Sequence, residues 1–198
     1  MSDVEYRGVD NLVYAKITQD DAEAYVTGEV TRLAAVAEIS KTTESSSEAH
    51  YYDNAPKIVI NSSGSDEITC TVSAIPLKVL ADITGQVYDE TLGVLIEGTR
   101  KLDYFALGYK TKKTDGTEVY VWRLKGTFGI PDSTHVTEND GTDANGQEVV
   151  FTGVQTTHKF AKTGESCAAI NVDTAVGNAD VDGFFDAVIT PDTLKAKA

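Results

Sequence analysis

Cysteine is nearly absent from this 198-residue chain, and the two copies present, Cys70 and Cys167, stand 97 positions apart. That spacing fits no zinc or redox motif. Without a visible export signal the pair reads as free thiols, a disulfide between them being the other possibility. Cations are also scarce: 17 Lys and Arg face 31 Asp and Glu, a net charge of −14. A reader of duplex DNA needs a basic face that displaces counterions from phosphate, so that class is disfavoured. No apolar run approaches the ~20 residues that span a bilayer as a helix. The start, Met1-Ser2-Asp3-Val4-Glu5, shows no basic and apolar leader of the secretory kind. Proline occurs only four times and tryptophan once. Stability must come from core burial in place of covalent staples, with association between chains as an optional further source.

What is abundant is β-branched. Twenty-four Thr and 21 Val make up close to a quarter of the chain, and both fit a pleated surface better than a helix. Ile68, Cys70 and Val72 alternate with Glu67, Thr69 and Thr71, the period of a half-buried strand. Residues 57–60 and 148–154 are apolar runs of strand length. In YKTKKTDGTEVYVWRL, Asp115-Gly116 predicts a two-residue turn between strands. The second strand carries Tyr120, Trp122 and Leu124 on one face and Val119, Val121 and Arg123 on the other. Both faces are largely apolar, which predicts a central strand covered on two sides. One helix of about nine residues is expected from Pro76 to Gly85, with Leu77, Leu80, Ile83 and Thr84 inward. A weaker second helix is expected after Asp182, from Phe184, Phe185 and Val188, stopped by Pro191. The fold class is therefore mainly β: an antiparallel β-sandwich or barrel with one flanking α-helix. Residues 42–49 (TTESSSEA), 61–66 (NSSGSD) and 138–147 (ENDGTDANGQ) read as polar loops or turns. The strand pattern thins after Lys159, dividing the chain into a β-sandwich domain, 1–160, and a C-terminal arm, 161–198.

Catalytic chemistry finds no convergent set. His50, His135 and His158 are scattered, and no G-x-S-x-G elbow, P-loop or dinucleotide fingerprint is present. Neither catalysis nor a cofactor is expected. Two acidic loops resemble calcium loops in part. Asn178, Asp180, Asp182 and Gly183 fit positions 1, 3, 5 and 6, but position 12 is Ile189. In the other, Asp143, Asn145 and Gly146 fit, but positions 1 and 12 are Gly141 and Thr152. Each lacks an anchoring ligand, and turn formation accounts for the same residues.

Several segments, in order, resemble the major tail proteins of long-tailed, non-contractile bacteriophages, the phi13-type group. They are YRGVDNLVYAKIT, SSSEAHYYDNAPKIV, ADITGQVYDETLGVLIEG and DYFALGYKTKKTDGTEVYVWRLKGTF, together covering roughly residues 6–160. The last is the most specific, with Ala106-Leu107-Gly108-Tyr109 and Tyr120-Val121-Trp122 before Lys125-Gly126. The resemblance implies a virion structural protein, made in the host cytoplasm and assembled into the tail. Its subunits would form hexameric rings stacked into a tube through which DNA passes without specific binding. It also implies tape measure, tail terminator and distal tail proteins as partners, and no membrane. The long loop that reaches the neighbouring ring would be Thr42, Thr43, Glu44, Ser45, Ser46, Ser47, Glu48, Tyr51, Tyr52, Asp53 and Asn54, anchored by the two tyrosines. The surplus acidity, −84 per six-membered ring, would then partly line the bore. The alternative is a β-sandwich binding module for carbohydrate or a host surface, using Tyr51, Tyr52 and Trp122.

Overall fold

The computed structural model describes residues 3–137 and 145–197, and only the backbone at 56 and 60–63. Among these the chain forms β1 (Tyr6–Asp20), β2 (Tyr25–Arg32), β3 (Val36–Tyr52), β4 (Ala55–Val72), α1 (Leu77–Thr84), β5 (Val87–Asp89), β6 (Val94–Ile96), β7 (Phe105–Lys113), β8 (Glu118–Phe128), β9 (Asp132–Ser133), β10 (Gln147–Gly153) and β11 (Ala169–Asp173). All strand pairs are antiparallel. Nine strands share one sheet with the path β2-β1-β7-β8-β10-β4-β3, to which β11 adds on β8 and β9 on β10; β5 and β6 form a small sheet of their own.

The centre of the sheet is β8, as its two apolar faces predict. One edge pairs with β7. The other is shared by β11, opposite residues 119–123, and β10, opposite residues 126–128. Val119 and Val121 enter the main core with Leu12, Tyr14, Phe105 and Leu107 from one half of the sheet and Ile68, Cys70, Val72, Val149 and Phe151 from the other. The two halves thus face each other as a β-sandwich. Trp122 and Leu124 point the other way, into a second core closed by Phe160, Val172, Phe184 and Val188. Trp122 Nε1 donates to the Phe184 carbonyl at 3.0 Å, satisfying the one polar atom of a fully buried side chain. Residues beyond 160 therefore supply both a strand of the sheet and the cover of its outer face.

The helix falls where Pro76 and Gly85 predict it. Pro76 stands just before the first turn, and Gly85 ends the helix at φ 66°, a conformation that penalises any side chain. Its buried stripe is Val79, Ala81, Ile83 and Thr84, whereas Leu77 is half exposed. The stripe is rotated from the expected one because α1 closes the end of the main core by its Val79–Ile83 side.

Three expectations need correction. The helix after Asp182 does not form: Gly183 adopts φ 67°, and single turns follow, Phe184 N–H to Val181 O and Asp186 N–H to Gly183 O. The spacing of Phe184 and Val188 reflects that turn series, and both are buried. The β7–β8 connection is a three-residue loop, because Lys113 N–H bonds Thr117 O at 2.8 Å, with Gly116 at φ 86°. Finally, residues 42–49 and 61–66 are strand within β3 and β4. The expected loop at 138–147 lies outside the described residues as far as 144.

Candidate assembly surface

β3 and β4 form a hairpin that outgrows the sandwich. They pair from Val36 opposite Val72 to Tyr52 opposite Ala55, whereas β10 supports β4 only from Asp66 to Val72. Past Asp66 the two strands continue with no third strand among the described residues for roughly 30 Å, at ~3.3 Å per residue. The assembly loop expected at residues 42–54 is thus the outer strand and turn of a β-ribbon. Thr42 pairs with Glu67 and Thr43 with Asp66 at the root, and Glu44 faces a bulge at Gly64 and Ser65. Ser45, Ser46, Ser47 and Glu48 form an exposed polar shaft.

The root is clamped by charge. Asp66 accepts from Thr43 Oγ1 at 2.6 Å and from Arg123 Nη1 at 2.7 Å, with Lys41 Nζ at 3.2 Å. Burial works to raise the Asp66 pKa. The hydrogen bonds from Thr43 and Lys41 and the Arg123 charge outweigh it and hold the carboxyl below its ordinary value. This clamp is not legible in the sequence, since the polar run 61–66 reads as a turn and nothing local links Asp66 to Arg123, 57 positions away.

The ribbon ends in a two-residue turn whose central residues, Asp53 and Asn54, have φ 51° and 59°. Such values match a type I′ turn, and Asp and Asn tolerate them better than other side chains. Lys57 pairs with Asp53 at 2.5 Å. Behind the turn the shaft becomes apolar. Tyr51 is 67% exposed, Tyr52 53%, and Ile58 and Val59 about half. Successive strand residues alternate, so Tyr51 shares a face with Ala49 and Val59, and Tyr52 with His50 and Ile58. Both faces of the tip thus present aromatic and aliphatic surface to water.

Among the described residues the strand path also has two open ends. β2 and β3 end the strand path, and the outer edge of β3 runs 17 residues with no further partner strand among the described residues. Unpaired backbone of that length is a template for another strand. Between β3 and the β1-β7-β8 half lies a half-open cleft of about 700 Å³, lined by Val9, Ile39, Lys41, Tyr109, Val121 and Arg123.

The other candidate groups do not converge. His50 lies on the ribbon, His135 is exposed, and His158 Nδ1 sits 3.2 Å from the Asp21 carbonyl. Asn178 donates to the Lys197 carbonyl, and Asp180 Oδ1 accepts from Asp182 N–H, so both serve turns. Of the second acidic loop, Gly141 and Asp143 lie outside the described residues. No group of three His, Cys, Asp or Glu side chains that could hold a metal ion is found among the described residues. Cys70 is buried and its thiol pushed up to about 12 by desolvation, which makes it a poor nucleophile. Trp122 is fully buried and offers no binding platform. No helix among the described residues is long and apolar enough to cross a membrane. The scan against family models finds no match, and the search of curated proteins finds none either.

Proposed function

We propose that this chain is a self-assembling structural subunit, a tail-tube protein that forms hexameric rings stacked into a conduit for DNA. The observation that carries this reading is the β3–β4 ribbon. An isolated two-stranded ribbon is marginal in water, yet this one projects about 30 Å at ~3.3 Å per residue and keeps its apolar residues at the far end. That distribution suits an arm whose surface is buried by a neighbour, with aromatic anchors supplying most of the contact energy. The open edges of β2 and β3 suit ring closure by strand addition between subunits. The ordered resemblance of residues 6–160 to phage major tail proteins supplies the specific form of the assembly.

The carbohydrate-binding alternative is weaker. It needs an aromatic platform, but Trp122 is buried and Tyr51 and Tyr52 point to opposite faces of a narrow ribbon. In the tube reading the partners are other copies of the chain and the proteins that start, measure and end the tube. DNA passes an acidic bore without being held. Sedimentation of the purified chain over rising concentration tests the reading: a cooperative shift to large assemblies is expected, and a monomer throughout would contradict it.

A further inference from the structure

The half-open cleft at the side of the sandwich has the make-up of a small-molecule site. At about 700 Å³ it falls within the roughly 300–1,000 Å³ that ligand pockets occupy. Strand alternation builds it. Ile39 and Lys41 stand two apart on β3, and Val119, Val121 and Arg123 alternate along β8. Val9 of β1 forms the opposite wall, and no strand pairing joins β1 to β3 among the described residues. The walls are thus aliphatic, and the two cations sit together at the ribbon root.

That end of the cleft holds an unfilled donor. The Arg123 side chain is 10% exposed. Its Nη1 is taken by Asp66 at 2.7 Å, while its Nε is buried with no hydrogen-bond partner among the described residues. A guanidinium carries five N–H donors in a planar fork, and Asp66 occupies only the Nη1 position. The Tyr109 hydroxyl lies against the same guanidinium and can donate onward to an anion. Lys41 Nζ stands 3.2 Å from the Asp66 carboxylate. Two cations therefore meet one anion, a local surplus of positive charge in a chain of net charge −14. Glu38 also borders the cleft, but it is exposed and lies on the alternate face of β3 from Ile39 and Lys41.

We propose that this cleft binds a small amphipathic carboxylate, a single alkyl chain with an ionised head. The head sits at Arg123, Lys41 and the Tyr109 hydroxyl, and the chain lies along Val9, Ile39, Val119 and Val121. A bare anion would leave the aliphatic walls in water, and a neutral hydrocarbon would leave the Arg123 donor unpaired. Only a molecule with both parts answers both ends of the cleft. Such a ligand ties β3 to β1 across a gap that no strand pairing closes. The proposal stands apart from the tail-tube reading and holds whether or not the chain forms tubes.

Titration with sodium decanoate, kept below its micelle concentration, tests this on the full-length protein. Calorimetry is expected to show one saturable site, and amide NMR shifts should centre on residues 9, 39, 109 and 121. Decanol has the chain without the charge, and acetate has the charge without the chain. Each is expected to bind about tenfold more weakly or worse. Lys41→Gln, at a side chain about one-third exposed, should weaken decanoate about tenfold with an unchanged circular dichroism spectrum. The thermal midpoint of the parent should rise with decanoate, because a ligand of the folded state stabilises it. Lack of saturation, equal affinity for decanol or acetate, undiminished affinity in Lys41→Gln, or shifts centred on Tyr51 and Tyr52 would each overturn the proposal. So would a falling midpoint, the mark of a surfactant that prefers the unfolded chain.

Discussion

Arg123 on β8 donates to Asp66 on β4 at 2.7 Å, at the residue where β4 leaves the support of β10. This ion pair is largely buried, both side chains being under one-seventh exposed. It fixes the direction in which the ribbon leaves the sandwich, with Thr43 and Lys41 holding the same carboxylate from β3.

Replacing Asp66 by Ala strands Arg123 in a buried site. A loss of about 3 kcal/mol is expected, the lower end for breaking a buried pair. Faster hydrogen exchange should accompany it along residues 43–52. The conservative Asp66→Asn should restore part of the protection through its amide oxygen.

Acid acts on the same group. The folded Asp66 pKa lies below its ordinary value of 3.8. Its contribution to stability is therefore complete above that value and is lost as pH falls through the folded pKa. Asp20, where burial is outweighed by hydrogen bonds from Lys125, Thr157 and His158, behaves alike. Thermal unfolding followed from pH 6 to pH 2 should show a steep loss confined below about pH 4, reduced in Asp66→Asn. A loss centred near pH 6 would contradict this account.

The core makes a sharper demand at Gly126. A Cβ there would meet Phe151 Cζ at 2.4 Å and the Thr152 carbonyl at 2.5 Å. Gly126→Ala should cost about 1–3 kcal/mol by overpacking. Phe184→Ala should cost about 3–5 kcal/mol by leaving a cavity under Trp122. Chemical denaturation of both variants checks the two figures.

These core positions were the legible part of the sequence. Ile68, Cys70 and Val72 alternate because one side of β4 is buried there, and β8 is apolar on both sides because both are covered. The ribbon was not legible for the converse reason. With neither face buried, Ser45–Glu48 carry no period-2 hydrophobic signal, although backbone pairing with β4 continues through them. Phe184 and Val188 misled because spacing cannot distinguish a helix from successive turns, and Gly183 decided for turns. The clamp at Asp66 was invisible, since contacts between distant strands leave no mark in local pattern. The tyrosines of the candidate loop are identifiable, but as anchors of a loop, not as the end of a paired β-ribbon.

Exposed positions should separate assembly from folding. Tyr51→Ser with Tyr52→Ser removes aromatic surface that the single subunit does not bury. Its unfolding free energy should stay within about 0.5 kcal/mol of the parent, while sedimenting assemblies are lost. Equal losses of both would show that the tip serves the fold of its own chain.

Charge should make assembly depend on salt. Copies at −14 each repel, and screening shortens that repulsion to about 8 Å at physiological ionic strength. The concentration needed for assembly should fall as sodium chloride rises from 20 to about 150 mM. Assembled material should not retain duplex DNA at either salt. In the assembled structure, Asp and Glu confined to the outer wall would refute an acidic bore.

Electron microscopy of the purified chain at high concentration tests the central claim most directly. The account predicts hollow tubes or six-fold rings, built with no other protein present. A particle that stays monomeric under the same conditions, and binds glycans on an array, would contradict it.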